Sequence, residues 1–125
     1  MQIDISIGEL VDKVSILSIK SRKIQDPDKL QNIHNELELL QTKMESVGIT
    51  FQSPEYCQLE KINQTLWDIE DRIRIKEAEK TFDDEFIELA RSVYFENDER
   101  AAVKRTINIT YDSALIEEKS YASYH

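Results

Sequence analysis

An all-α fold, an antiparallel bundle of four main helices followed by a short C-terminal tail or helix, is predicted by three observations on this chain of 125 residues. Only two glycines and two prolines interrupt it, too few for a sheet protein rich in tight turns. Both prolines stand where helices begin, in Asp26-Pro27 and Ser53-Pro54, each a capping residue ahead of a ring whose fixed φ suits the first helical position. Between these marks apolar residues recur in steps of three and four, the period of a helix with one buried face. One domain, residues 1–125, is expected, because the chain can hold one real core but not two.

The elements follow in order. Ser6-Ile7-Gly8-Glu9 reads as a capping box opening the first helix, with Leu10, Val14 and Leu17 on one face. Ile16 and Ile19 lie away from that face, so this helix is apolar on more than one side and suits a central position or an oligomer contact. The second helix opens at Asp26-Pro27, carries Leu30, Ile33, Leu37, Leu40 and Met44, and stops at Gly48. A third opens at Ser53-Pro54 and carries Leu59, Ile62, Leu66, Ile69 and Ile73. Thr81-Phe82-Asp83-Asp84 caps a fourth, from Phe82 to about Ile109. The tail from Ala114 to His125, with Tyr121 and Tyr124, is expected to add a short helix that packs back on the bundle.

Composition narrows the function. A net charge of −9 argues against general nucleic-acid binding, which needs a basic footprint. No run approaches the roughly 20 apolar residues of a membrane span, and MQIDISIGEL has neither the basic region nor the apolar run of a signal peptide. Cys57 is alone, so no disulfide framework is available. These features together predict a cytoplasmic protein that uses neither membrane nor nucleic acid. His34 and His125 stand far from other strong zinc ligands, and no glycine-rich phosphate loop occurs.

The fourth helix carries the main candidate site. At 100° per residue, Phe86, Ala90 and Val93 form an apolar row, and Asn97, Arg100, Lys104 and Asn108 continue it. The row turns polar and basic halfway along, and buried polar groups are unfavourable unless they meet partners. Arg100, Lys104 and Arg105 are suited to hold a carboxylate, phosphate or sulfate, with Asn97 and Asn108 orienting it. On the third helix Tyr56, Asn63, Trp67, Glu70 and Arg74 share a flank, where Trp67 can serve as a binding wall. The competing readings are a solvated helix end, or internal ion pairs in which Glu70 or Asp71 neutralises Arg100 or Arg105. Acids at i,i+3, namely Glu9/Asp12, Asp68/Asp71 and Glu96/Glu99, match the spacing of magnesium-using helical enzymes, although a solvated acidic face accounts for them better in a chain so rich in acids.

Four stretches, SIGELVDKVSILSIK, LWDIEDRIR, FIELARSVYFENDERAAVKRTIN and LIEEKSY, occur in an order that resembles an uncharacterised small all-helical domain family of bacteria and phages, sometimes associated with glycan or surface-polysaccharide synthesis. The resemblance covers nearly the whole chain, implies an all-helical domain and brings no established activity. Glu9, Asp12, Lys13, Asp68, Glu70, Asp71, Arg91, Asn97, Asp98, Arg100, Lys104, Arg105 and Glu118 fall inside these stretches. The leading expectation is a non-enzymatic binding or adaptor module, without cofactor or metal. Its inter-helix pocket, built from Trp67, Asn97, Arg100, Lys104, Arg105 and Asn108, would take a small anionic ligand or an acidic segment of a protein partner. The alternatives are a Mg²⁺-dependent hydrolase or transferase acting on a nucleotide or nucleotide-sugar, with Asp68, Asp71 and Asp98 as ligands, and a structural homo-oligomer.

Overall fold

The computed structural model describes residues 3–113 and residue 115. They form a four-helix bundle with α1 at Ile7–Lys23, α2 at Pro27–Ser46, α3 at Pro54–Ala78 and α4 at Asp84–Thr110. The expected tail helix, with Glu118, Tyr121, Tyr124 and His125, lies outside the described residues.

The helix starts are local chemistry. Ser6 accepts from the Glu9 amide, Asp26 from those of Asp28 and Lys29, and Asp83 from that of Phe86, each satisfying an orphan donor of a first turn. Ser53 stands at the N-cap of α3, but its hydroxyl accepts from Thr50 N at 2.9 Å and so braces the preceding loop. Helix α4 begins two residues later than Phe82 because Asp83 is the cap, and Phe82 packs its exposed ring edge-on against Phe86 at 5.2 Å.

Three helices end in one way. After α2, Gly48 takes φ +92° and Ile49 N bonds back to Met44 O. After α3, Lys80 takes φ +57° and Thr81 N returns to Lys76 O; after α4, Asp112 takes φ +55° and Ser113 N returns to Asn108 O. These are Schellman caps, in which a left-handed residue lets the next amide reach an orphan carbonyl.

Helix α1 is the central element and packs against all three others, as its two-sided apolar pattern implied. Leu10, Val11 and Val14 of α1 meet Met44 of α2, Leu59, Ile62 and Leu66 of α3, and Val103 and Ile107 of α4. Helices α3 and α4 form an antiparallel hairpin, with Lys76 beside Asp83 at the turn and Glu55 beside Tyr111 at the open end. The core stops short of the turn. Leu66 and Val93 are its last hairpin members on that side, and beyond them the two helices run on as an arm. Among the described residues no helix is long and apolar enough to cross a membrane.

Candidate functional site

The polar half of the α4 row lies under α1. Asp12 is buried, 1% exposed, yet charged. Arg100 meets it with two nitrogens, Nε at 2.9 Å from Oδ1 and a terminal nitrogen on Oδ2. Asn63 of α3 donates to the same Oδ1 at 2.9 Å and to Ser15 Oγ at 2.7 Å, while Ser15 donates to the Asp12 carbonyl. A buried carboxylate is tolerable when a bidentate guanidinium and further donors meet it, and this one ties three helices together.

One turn earlier, Lys104 Nζ lies 2.7 Å from Glu9 Oε2 and 3.9 Å from Asp12 Oδ2, and Lys13 approaches Glu9 at 3.9 Å. Two carboxylates of α1 thus balance two cations of α4. The carboxylates come from Glu9 and Asp12, whereas Glu70 and Asp71 are exposed. The Glu9 carboxylate, at the capping-box position of α1, meets Lys104.

At the start of α1 two amides are taken by the end of α4 and the residues just past it. Asn108 Oδ1 accepts from Gly8 N at 2.6 Å, and Ser113 Oγ accepts from Ile7 N at 3.1 Å. Asn108 is buried, and its Nδ2 has no hydrogen-bond partner. The approach of the helices is set by Gly8: a Cβ there would sit 2.5 Å from Lys104 O and 3.0 Å from Asn108 Oδ1.

The six residues singled out in the sequence therefore separate. Arg100, Lys104 and Asn108 come together beneath α1. Asn97 and Trp67 lie one turn beyond them, toward the arm: Asn97 is exposed and Trp67 half-buried. Arg105 points away from the α1-facing row and is exposed. Sequence reasoning missed Ser15 and the packing role of Gly8. It placed Asn63 on a flank without a partner, although polar residues embedded among Leu10, Val11, Val14 and Ile62 were a usable signal of a buried network.

Of the alternative metal ligands, Asp68 and Asp71 are exposed and Asp98 is half-buried. Among the described residues no group of three or more His, Cys, Asp and Glu side chains is placed to hold a metal ion. Elsewhere, burial and then the adjacent Glu60 carboxylate push the Tyr56 phenol well above its ordinary pKa. Burial and then Glu99 hold the Glu96 carboxyl above its ordinary range.

Fold and site define a small helical module whose centre is a buried, charge-balanced junction between α1 and the α3–α4 hairpin. The chain belongs to a family of unknown function, DUF6165, whose model matches residues 1–124. No curated protein and no solved structure matches it.

Proposed function

We propose that the protein is a non-enzymatic binding module that offers the edge of the α1 junction to a small anion or to an acidic segment of a protein partner. Arg100 carries this reading. Buried Asp12 fixes its guanidinium, yet 29% of the side chain stays exposed, on the same side of the hairpin as Asn97 and Trp67. A guanidinium already ordered before a ligand arrives loses little side-chain entropy on binding, and its planar fork suits carboxylate or phosphate. Lys104 adds positive potential from below, and Trp67 supplies an apolar wall. The resemblance to domains associated with glycan or surface-polysaccharide synthesis makes sugar phosphates and nucleotide-sugars the first ligands to try.

The test is a thermal-shift titration with inorganic phosphate, sugar phosphates, nucleotide-sugars and an oligoglutamate peptide. A ligand at 100 times its Kd stabilises by about 2.7 kcal/mol. Asn97→Asp places a negative charge beside Arg100 without touching the buried pairs, and should weaken binding about tenfold, roughly the 1.4 kcal/mol of one unfavourable charge. If no anion shifts the midpoint at up to about ten millimolar, or if Asn97→Asp leaves the shifts unchanged, the reading fails. Lys104→Glu is unsuited as a binding probe, because Lys104 is tied to Glu9 and its reversal acts on stability.

A further inference from the structure

The α1-facing row of α4 holds an inversion. Its polar half, Arg100 to Asn108, is covered by α1, while its apolar half leads from Val93 at the edge of the core through Ala90 and Phe86 onto the arm. Among the described residues, the hydrogen bonds between α1 and the hairpin include Glu60, Asn63, Gln64, Arg100, Lys104 and Asn108, and Tyr56 lies beside Ser18, all on the core side of the arm. Helix α3 behaves likewise. Its row runs from Tyr56 and Asn63, which face α1, into Trp67, Glu70 and Arg74, which make no hydrogen bond or ion pair to α1 among the described residues.

The arm, residues 67–92, buries no apolar side chain completely: Trp67, Ile69, Ile73, Phe86, Leu89 and Ala90 are only partly buried, and Ile75, Phe82 and Ile87 are exposed. In the other half of the hairpin Leu59, Ile62, Leu66, Val103 and Ile107 are buried. A two-helix arm whose apolar residues stay only partly buried has room for another layer.

We infer that this layer is the arm of a second copy of the chain, packed antiparallel across a two-fold axis. Charge complementarity singles out a second copy as the occupant. Glu70 and Arg74 stand four residues apart on the uncovered row, and neither takes part in an ion pair among the described residues. A two-fold axis midway between them sets Glu70 against the partner's Arg74, and Arg74 against the partner's Glu70. A patch that meets itself in an isologous contact must be self-complementary in this way.

The register of the hairpin agrees. Asn63 and Arg100 meet on one carboxylate, and nine residues nearer the turn on each helix Arg72 of α3 comes level with Arg91 of α4, next to Ala90. The axis that pairs the charges therefore crosses α4 close to Ala90, its smallest arm residue, where two helices can approach closely. Antiparallel arms also hold the two copies of α1 and α2 at opposite ends, clear of each other. The contact is small, so the dimer belongs to the weak class. It rests on the arm rather than on the anion-binding reading, and either can fail alone.

Sedimentation of the full chain from about 5 to 300 µM tests this. Dimer should appear within that range. Glu70→Arg and Arg74→Glu should each weaken self-association at least about tenfold, through two like-charge contacts per dimer. An equimolar mixture of the two variants should regain dimer, because each then supplies the charge the other lacks, which a pair within one helix cannot do. Ala90→Arg should leave monomer only, with helicity unchanged. Monomer throughout for the unaltered chain, dimer indifferent to all three substitutions, or a mixture no better than its components would each overturn the inference.

Discussion

Gly8 and Asp12 are single residues on which the junction turns. Gly8→Ala would drive a methyl against the Lys104 carbonyl, a backbone atom that cannot swing aside. Overpacking of this kind costs about 2 kcal/mol, and urea denaturation should register that loss. Asp12→Ala leaves the Arg100 guanidinium and the Asn63 amide without their shared acceptor. Removing one partner of a buried pair costs about 3 to 5 kcal/mol; because Arg100 is partly exposed, about 3 kcal/mol is expected in the same assay. Asp12→Ala combined with Arg100→Met should recover part of it, since the stranded charge is gone.

At the scale of elements, the α3–α4 turn is closed by charges and by a strained cap. Lys76 lies 3.0 Å from Asp83 and 3.4 Å from Glu85, and Arg72 also holds Glu85. The Phe86 amide and then Lys76 hold the Asp83 carboxyl below its usual range, and Arg72 does the same for Glu85. Carboxylates lowered in the folded state add stability that is complete above their ordinary values, about 4, and is lost as pH falls through the lowered ones. Lys76 is raised, chiefly by Asp83, so its share is lost only as pH rises through its raised value, above the ordinary lysine range. The thermal midpoint should therefore fall on acidification below about pH 5, and Lys76→Met should flatten that fall; the raised Glu96 acts in the opposite sense and remains in both proteins. Lys80 at φ +57° is a second handle. Lys80→Gly should raise stability by about 0.5 to 1 kcal/mol in thermal unfolding, because glycine adopts that conformation without a Cβ clash.

For the whole molecule, the core ends at Leu66 and Val93, so stability should be uneven along the hairpin. Amide hydrogen exchange at low concentration should be faster across 67–92 than across 56–66 and 100–108, since few buried apolar contacts resist local opening there. If arms pair, protection in 67–92 alone should grow with protein concentration. Uniform protection along the hairpin would contradict this division of the molecule.

What was readable in advance was local. Ser6, Asp26-Pro27 and Ser53-Pro54 announce helix starts because a cap acts within three residues, and the three-four apolar steps fix the inward face of each helix. The stop at Gly48 was legible because glycine advertises a left-handed residue, while Lys80 and Asp112 adopt the same geometry under tertiary packing and give no such sign. The α4 row, with Arg100, Lys104 and Asn108 at its polar end, was also visible by periodicity alone.

The sequence by itself therefore determined the helices, their caps and the candidate row, because those follow from interactions within a few turns of one segment. Tertiary structure alone decided that Glu9 and Asp12, rather than Glu70 or Asp71, neutralise that row, and that α1 covers its polar end and leaves Phe86 and Ala90 only partly buried on the arm. Those outcomes depend on where α1 crosses the hairpin. That crossing is set by the close approach at Gly8 and the carboxylate shared by Arg100 and Asn63, contacts between residues some 50 to 100 positions apart, which no local period encodes.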